Sequence, residues 1–344
     1  MLADQGTDRT AVFRFDASPT MGGGHAFRCL TLADALRKEN WACQFVVGDE
    51  TIAAVPRLQQ GQFDCLELNQ QADDGSETVC RWLANKPCHL LIVDHYGLDN
   101  TFETACRGFS EQILVIDDLA DRRHDCDFIL DQTYGRSQEA YAGLVPLGCR
   151  FFLGADYALL KPEYAAQREV SLNRRARTPT LKKILISVGL TDPLGLSAQI
   201  LDQLGPIEGL EIDIVLGGGV SDLDSVRTMV AAMGERVQLH VDIENMSELM
   251  MAADLSVGGC GTTSWERCCV GVPTLGMIVA DNQRLIADNL SRIGAIDIIS
   301  DVDSVRQHVE ALMNDPDRLN RMSAAAASVC DGLGSSRIVN ELTR

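Results

Sequence analysis

The sequence lacks long hydrophobic runs and has few basic residues. No segment approaches the roughly 18 consecutive apolar residues that a helix needs to cross a bilayer, which argues against a membrane-spanning protein. The first segment, MLADQGTDRT, is polar and acidic, so we expect no signal peptide and a cytoplasmic protein. With 30 Lys and Arg against 49 Asp and Glu, the net charge is −19, which disfavours binding to the phosphate backbone of nucleic acids.

Familiar catalytic and metal-binding motifs are also missing. None of the 12 cysteines forms a C-x-x-C pair, so we interpret them as reduced, buried hydrophobic residues rather than as a disulfide or zinc framework. The sequence contains no G-x-S-x-G, H-E-x-x-H or G-x-x-x-x-G-K-[ST] motif. Asp117, Asp118 and Asp121 have no histidine at ligand spacing, and we expect them to cap a helix. No metal ion and no cofactor are therefore predicted.

What the sequence does contain is a series of short apolar runs that end in Gly or Asp. Examples are the run 90–93, which precedes Asp94, and the run 184–186, which precedes Ser187 and Gly189. Such runs are typical of strands buried on both faces of a parallel sheet, and helical stretches lie between several of them. The length of 344 residues suggests two domains. We predict an α/β protein with two doubly wound, Rossmann-like domains that face each other across a cleft.

The expected domain order follows from one interruption of this pattern. Residues 161–180 contain Pro162, Pro179 and several arginines but no strand signal, so we place a linker there. The first domain then covers residues 1–160, and the second covers residues 181–325. Residues 326–344 are predicted to form a C-terminal helix that can pack back on the first domain. In open α/β sheets, ligands bind beyond the carboxyl ends of the strands.

A glycine-rich loop follows the first predicted strand and opens the first helix, with the sequence MGGGHAFR at 21–28. Gly23 and Gly24 allow the backbone to approach a phosphate or a sugar, and the helix N-terminus offers free N–H groups. An imidazole exchanges protons near neutral pH, so His25 is a candidate general acid or base. The alternative is a tight turn with a histidine that caps or packs. The spacing does not fit the dinucleotide motif G-x-G-x-x-G.

A second glycine-rich loop, GGCGTTSWE at 258–266, again follows a strand and opens a helix. The stretch from Gly261 to Ser264 includes Thr262 and Thr263, and its hydroxyl and amide groups can bind a diphosphate. Glu266 can accept hydrogen bonds from both hydroxyls of a ribose. The alternative is a plain capped helix in which Glu266 is the capping-box acid.

Two further strand ends carry polar side chains. Asn282 and Gln283 follow the run 274–279, and their amides can hydrogen-bond sugar hydroxyl or acetamido groups, although Asn282 can equally cap the next helix. Tyr96 lies in the strand-end segment DHYG at 94–97 and can contact a substrate. We interpret His95, beside it, as the donor or acceptor of a structural hydrogen bond rather than as a second acid or base.

These segments, in this order, resemble one enzyme family, the UDP-2,4-diacetamido-2,4,6-trideoxy-β-L-altropyranose hydrolases of pseudaminic acid biosynthesis. The resemblance extends from about residue 11 to about residue 300. It rests on FRFDASPTMGGGHAFRCLTLADAL, IVDHYGLD, VIDDLADRRHDCDFILDQT, FLGADYALLKPEY and GTTSWERCCVGVPTL followed by ADNQ. The family is related to the glycosyltransferase-B fold, which includes the UDP-GlcNAc transferase that makes lipid II. The resemblance therefore implies this two-domain fold.

The resemblance also implies a reaction. Water attacks the anomeric carbon of a UDP-sugar with inversion and without a metal ion, which releases UDP and the free sugar. His25 matches the catalytic histidine of the family's G-H-x-x-R loop, and Glu266 matches the ribose-binding glutamate of the wider fold. The remaining predicted substrate-binding residues are Gly23, Gly24, Arg28, Tyr96, Gly261, Thr262, Thr263, Ser264, Asn282 and Gln283.

The sequence departs from the family pattern at one position, and two other functions are compatible with the same fold. Leu190 stands where the family has the second glycine of G-G-T-D-P, which argues against a backbone contact to the nucleotide that needs glycine there. A glycosyltransferase with a UDP-sugar donor, or a non-catalytic protein that binds a nucleotide sugar, stays open on the same fold. The expected partner is a small UDP-sugar, with no nucleic acid and no membrane, and the sequence is compatible with a monomer.

Overall fold

The computed structural model describes residues 9–18, 23–55, 57–60, 63–68, 75–177, 180–189 and 191–343. The chain divides into two compact units. Unit 1 comprises Met1–Leu159 and Gly334–Arg344, and unit 2 comprises Leu160–Leu333. Each unit contains one parallel sheet with helices in its crossover connections. The prediction of two doubly wound, Rossmann-like α/β units is confirmed.

Unit 1 contains seven described strands, β1 to β7, which span Arg9–Phe15, Trp41–Gly48, Asp64–Leu68, Leu90–Asp94, Gln112–Ile116, Phe128–Asp131 and Arg150–Leu153. Helices α1 to α5 span Gly24–Lys38, Thr51–Ala54, Arg57–Gln60, Ser76–Leu83 and Asn100–Cys106. The strand order is β3-β2-β1-β4-β5-β6-β7, and the neighbouring strands are parallel. The order reverses between β1 and β4, which is the usual place for a ligand in such sheets.

The strands of unit 1 are apolar on both faces because a hydrophobic cluster covers each face of the sheet. Leu91 and Val93 of β4 lie in one cluster, and Ile92 between them lies in the other. In β1, Val12 and Phe13 divide between the same two clusters. This alternation explains why the runs read as continuous hydrophobic stretches rather than as an alternating pattern.

Unit 2 contains strands β8 to β13, which span Lys183–Ser187, Glu211–Leu216, Val237–Val241, Leu255–Gly259, Thr274–Met277 and Ile296–Ile298. Helices α6 to α13 span Pro162–Arg177, Leu196–Leu204, Leu223–Met233, Met246–Ala252, Thr263–Cys269, Arg284–Arg292, Val305–Met313 and Pro316–Ala327. The six parallel strands have the order β10-β9-β8-β11-β12-β13. Here the order reverses between β8 and β11.

Residues 161–180 were predicted to link the two domains, but in the structure most of this segment forms helix α6, which belongs to unit 2. The helix starts at Pro162, and proline is well suited to the first position of a helix. Its buried side chains are Tyr164, Ser171 and Arg175, of which only one is aromatic and none is aliphatic. The segment therefore has little hydrophobic periodicity, although its polar side chains hydrogen-bond backbone carbonyls of unit 2.

The last helix, α14 (Gly334–Leu342), belongs to unit 1 and packs against α1. Ile338, Val339 and Leu342 contribute to the hydrophobic core of that unit. The division along the chain falls after Leu333, later than the predicted boundary at 325, because α13 stays with unit 2. None of the helices in the described ranges is long and apolar enough to cross a membrane.

Candidate functional site

The carboxyl edge of the sheet in unit 1 carries a row of buried aspartates. Asp94 and Asp131 are the last residues of β4 and β6, while Asp16 and Asp117 directly follow β1 and β5. Each of them is paired with an arginine, and these four partners are Arg28, Arg136, Arg14 and Arg122 respectively. Because buried charges need compensation, these pairs keep the edge polar without leaving an isolated charge.

His25 is the second residue of α1 and faces the end of β4. Its Nδ1 atom lies 2.5 Å from Asp94 Oδ1, and its exposed fraction is 7%. Arg28, one helical turn later, binds the same carboxylate through Nε at 2.6 Å and Nη2 at 2.5 Å. Arg28 Nη2 also lies 3.2 Å from Nδ1, but the contact with Asp94 is much shorter. Since a carboxylate only accepts hydrogen bonds, we assign the proton of the neutral imidazole to Nδ1. The Nε2 atom then carries a lone pair that can accept a proton.

The Asp94 carboxylate stays ionised at neutral pH. Burial alone would raise its pKa, but the charge of Arg28, then that of His25, and the hydrogen bonds from both lower the pKa well below its usual range. A permanent negative charge at this position fixes the orientation of the imidazole and would stabilise an imidazolium ion there. The same arrangement of an acid behind a histidine recurs in enzymes that use histidine as a base.

Tyr96 and Arg28, both predicted to contact substrate, lie beside His25. The rings of Tyr96 and His25 meet edge to face with centroids 4.7 Å apart. The Tyr96 hydroxyl donates to Asp118 Oδ2 at 3.1 Å, and Arg28 Nη1 lies 3.5 Å from the same oxygen. The structure thus brings three predicted residues together, although Tyr96 is about 70 residues away from His25 and Arg28 in sequence.

The glycine-rich loop before α1 is only partly described. Gly23 precedes the helix, and its carbonyl accepts a hydrogen bond from the Phe27 amide at 2.9 Å. Gly24 is the first helical residue and is partly buried. Met21 and Gly22 lie outside the described residues, so the prediction that this loop approaches a phosphate or a sugar stays a prediction.

His95 has both ring nitrogens engaged within the fold. Its Nδ1 accepts a hydrogen bond from the Gly97 amide at 3.0 Å, so its Nε2 carries the proton and donates to Asp16 Oδ2 at 3.0 Å. Burial would raise the pKa of Asp16, but the hydrogen bonds from His95 and Arg14 lower it. This geometry favours the interpretation of His95 as a structural residue.

The three aspartates that follow β5 bind protein groups. Asp117 accepts from Arg122, from the Tyr141 hydroxyl and from the Ala120 amide. Asp121 also contacts Arg122, at 3.1 Å. Within the described ranges, no group of three or more acidic, histidine or cysteine side chains is arranged to hold a metal ion.

In unit 2, the β11–α10 loop begins where the backbone of β11 lies very close to that of β8. A Cβ atom on Gly258 would stand 2.0 Å from the Ser187 carbonyl oxygen, so only glycine fits beside β8. The buried Arg267 side chain donates to the Gly259 carbonyl at 2.5 Å and to Ser264 Oγ at 3.1 Å. The Ser264 hydroxyl therefore stabilises the loop from inside.

The residues predicted to contact a diphosphate differ in their exposure. Gly261, Thr262 and Thr263 are only partly buried, whereas Ser264 is 2% exposed. Hydroxyl and amide groups of the first three residues are thus the better placed to contact a ligand.

Glu266 lies on the first turn of α10 and is partly buried. Burial raises the pKa of its carboxyl to about 7, although the nearby Tyr164 hydroxyl and the charges of Lys161 and Arg267 oppose the shift. A carboxyl group with this pKa changes its charge in the physiological range. As a carboxylate, it can accept two hydrogen bonds from neighbouring hydroxyl groups.

The two predicted amides after β12 have different surroundings. Gln283 Oε1 accepts from the Cys260 amide at 3.2 Å and from the Val279 amide at 3.1 Å, so this side chain links the ends of β11 and β12. Asn282 is exposed. Leu190, the departure from the family pattern, lies outside the described residues.

Sequence reasoning missed three residues that the structure places at these sites. Asp94 entered the sequence analysis only as the end of a strand, and Asp118 only as a possible helix cap. Tyr164 lies at the end of FLGADYALLKPEY, one of the five segments that carry the family resemblance. That resemblance was the only available signal, because each of these side chains acquires its role from a partner far away in sequence.

Known proteins with similar sequences are distant relatives, with identities below 30%. The chain matches none of the protein-family profiles against which it was scanned. An uncharacterized protein of Methanocaldococcus jannaschii is 24% identical over 281 residues, which are 80% of this chain, and the chain spans only 56% of that relative's length. A UDP-2,4-diacetamido-2,4,6-trideoxy-β-L-altropyranose hydrolase of Campylobacter jejuni is 28% identical over 240 residues, or 70% of this chain and 80% of that protein.

Solved structures agree on the fold. MurG of Acinetobacter baumannii superposes with a TM-score of 0.67 at 16% identity and covers 97% of this chain and 99% of its own. The UDP-GlcNAc 2-epimerase from Neisseria meningitidis, bound to UDP-GlcNAc, reaches a TM-score of 0.64 at 12% identity with the same coverage. The chain therefore has a glycosyltransferase-B-like fold of two parallel-sheet, Rossmann-like units.

Proposed function

We propose that this protein hydrolyses a UDP-sugar to UDP and the free sugar, without a metal ion. The observation that carries the proposal is the pairing of His25 with Asp94. The contact leaves Nε2 as the basic atom, and His25 Nε2 has no hydrogen-bond partner among the described residues. In the proposed reaction Nε2 takes a proton from water, the water oxygen attacks the anomeric carbon, and the bond from that carbon to the UDP oxygen breaks with inversion.

Unit 2 is proposed to hold the UDP part of the substrate. Gly261, Thr262 and Thr263 would contact the diphosphate, and Glu266 would accept hydrogen bonds from the ribose hydroxyls. Stabilisation of the leaving diphosphate supplies the part of the rate enhancement that a general base alone does not. Tyr96, Arg28 and Asn282 are proposed to contact the sugar.

The proposed substrate is the UDP-linked 2,4-diacetamido-2,4,6-trideoxy-β-L-altropyranose. Support comes from the Campylobacter jejuni relative at 28% identity and from the five matching sequence segments. A relative from Porphyromonas gingivalis at 22% identity is a transferase, so transfer of the sugar to an acceptor hydroxyl in place of water is the competing function. Incubation with the UDP-sugar alone separates the two functions, since a hydrolase releases UDP without an acceptor.

Hydrolysis in ¹⁸O-labelled water tests which bond breaks. Attack on the anomeric carbon places the label in the free sugar, whereas attack on phosphorus places it in a phosphate of UDP. We expect the label in the sugar, measured by mass spectrometry at early times because free sugars slowly exchange their anomeric oxygen. A label in UDP would contradict the proposed mechanism, and a reaction that needs an added acceptor would indicate a transferase.

The pH dependence of nucleotide binding tests the role of Glu266. Only the ionised carboxylate accepts hydrogen bonds from both ribose hydroxyls, and its pKa is about 7. The affinity for UDP-GlcNAc, used as a probe because neither of its esterified phosphates titrates near neutrality, should therefore increase between about pH 6 and pH 8. Calorimetry at several pH values measures this. Glu266→Gln should bind more weakly with little dependence on pH, and an unchanged affinity in this variant would refute the ribose assignment.

A further inference from the structure

A buried arginine is hydrogen-bonded to both ends of the loop between β11 and α10. Arg267 lies on α10 and is 2% exposed. Its Nη2 atom donates to the Gly259 carbonyl at 2.5 Å and to Ser264 Oγ at 3.1 Å. Its Nη1 atom lies 3.0 Å from the position that a Cβ atom on Gly258 would take. Since Gly259 and Ser264 flank residues 260–263, the guanidinium group has a fixed position relative to the loop.

Two of the three nitrogen atoms of this guanidinium group have no hydrogen-bond partner. Nε and Nη1 are both buried, and neither finds an acceptor in the described part of the chain. Both hydrogen bonds of Nη2 go to uncharged oxygens, so no carboxylate among the described residues pairs with Arg267. Burial lowers the pKa of Arg267, although the nearby Cys260, Cys268 and Glu266 side chains oppose the shift. Because an arginine nevertheless keeps its charge in a protein, the side chain is a buried cation without a partner anion.

The other buried arginines of the described ranges are compensated. Arg14 and Arg28 each pair with an aspartate at the carboxyl edge of the sheet in unit 1. Arg175, in unit 2, donates from Nε, Nη1 and Nη2 to three backbone carbonyls. Moving a charge out of water costs free energy that an opposite charge or a full set of hydrogen bonds returns. Arg267 has neither, so its surroundings favour the binding of an anion nearby.

We propose that Arg267 is a positioning residue whose charge makes the β11–α10 loop select the diphosphate of a nucleotide. This inference rests on the proposed diphosphate contacts of residues 261–263, which are partly buried and belong to the loop that the guanidinium group holds. The guanidinium group orients the loop through Gly259 and Ser264, and it adds a positive charge that the surrounding protein screens only weakly. The charge is in place before the reaction, so it also stabilises the negative charge that develops on the departing diphosphate.

Arg267→Gln tests the proposal, because glutamine can still donate a hydrogen bond but carries no charge. The quantity measured is the ratio of the dissociation constants of uridine and UDP, from NMR titration and calorimetry. The two ligands differ only in the diphosphate, so the ratio isolates its contribution. We expect the ratio to fall about tenfold, the order expected for one elementary charge near an anion at the effective dielectric of a protein site, while uridine affinity is unchanged. Arg267→Lys keeps the charge and should retain most of the ratio.

Arg175→Gln is the matched control, since it also removes a buried arginine of unit 2 that donates to backbone carbonyls. Thermal unfolding compares the stability of the two variants, and the control should keep the wild-type ratio even where it is less stable. A wild-type ratio in Arg267→Gln, or an equal fall in Arg175→Gln, would overturn the inference while the diphosphate contacts stand. If Arg267→Gln does not fold, Arg267→Lys decides, because a tenfold fall with the charge retained would overturn the inference. If the wild-type protein binds uridine as tightly as UDP, the proposed diphosphate contacts fail, and this inference fails with them.

Discussion

Replacing His25 by asparagine is expected to lower kcat by about 10²–10⁴ and to leave the affinity for UDP unchanged. A general base contributes about this much to the rate, and the asparagine amide cannot accept a proton. UDP affinity should persist because the proposed nucleotide contacts are all in unit 2. Steady-state kinetics and calorimetry with UDP measure the two quantities separately.

His89→Asn is the matched control for this substitution. His89 precedes β4, at the opposite edge of the same sheet, and its Nδ1 accepts a hydrogen bond from the Thr10 amide at 2.9 Å. The control should keep its kcat nearly unchanged. Near-normal turnover in His25→Asn would show that His25 is not the general base. A comparable loss of kcat in both variants would indicate a general effect on folding.

Asp94→Asn is expected to affect both activity and stability. Asparagine can present its N–H group to His25, which favours the wrong tautomer, and a comparable substitution in a Ser-His-Asp enzyme lowers kcat by about 10⁴. Among the residues that the structure describes, the substitution leaves Asp118, at 3.5 Å, as the one charged partner of the buried Arg28. Breaking a buried ion pair costs about 3–5 kcal/mol of unfolding free energy. Because Arg28 keeps its contact with Asp118, we expect a loss near the lower value. Urea unfolding measures it.

The pH dependence of that loss has a definite sign. Because the folded protein holds the pKa of Asp94 below its ordinary value, the ionised carboxylate stabilises the fold above about pH 4, the unfolded value. The stabilisation disappears as the pH falls toward the folded value. The difference in unfolding free energy between wild type and Asp94→Asn should therefore be constant near neutral pH and shrink below about pH 4. A difference that is already lost at pH 6 would contradict the assignment.

The strands could be predicted because burial on both faces leaves a mark that is local in sequence. Residues 90–94 and 184–187 become β4 and β8, each nearly all buried. Helix α6 could not be predicted in the same way. Its interface with the rest of unit 2 depends on arginine and serine side chains that hydrogen-bond backbone carbonyls. Such contacts produce no hydrophobic periodicity in the sequence. Polar packing of this kind is visible only when the partner backbone is known.

Residues of the site were predicted where their chemistry is evident from the residue type and the loop. His25 and Glu266 belong to this class. The partners that determine how each side chain is oriented were not predicted, since Asp94 is 69 residues from His25 in sequence. The pairing of β1 with β4 places Phe15 beside Asp94, and His25 at the start of α1 reaches the same aspartate. Strand order is a property of the whole sheet. For the same reason the two backbone amides that bind the carbonyl oxygen of Gln283 could not be predicted, and its contact with a ligand stays a prediction.

The return of α14 to unit 1 has a consequence for the order of events during synthesis. Residues up to 159 leave the ribosome first, but the core that they form also needs Ile338, Val339 and Leu342. Until those side chains emerge, the surface of α1 that they cover is exposed to solvent and available to chaperones or to another nascent chain. Unit 2, which is continuous in sequence, can complete its core earlier. Most of unit 1 is therefore translated before unit 2, but its core is completed after that of unit 2.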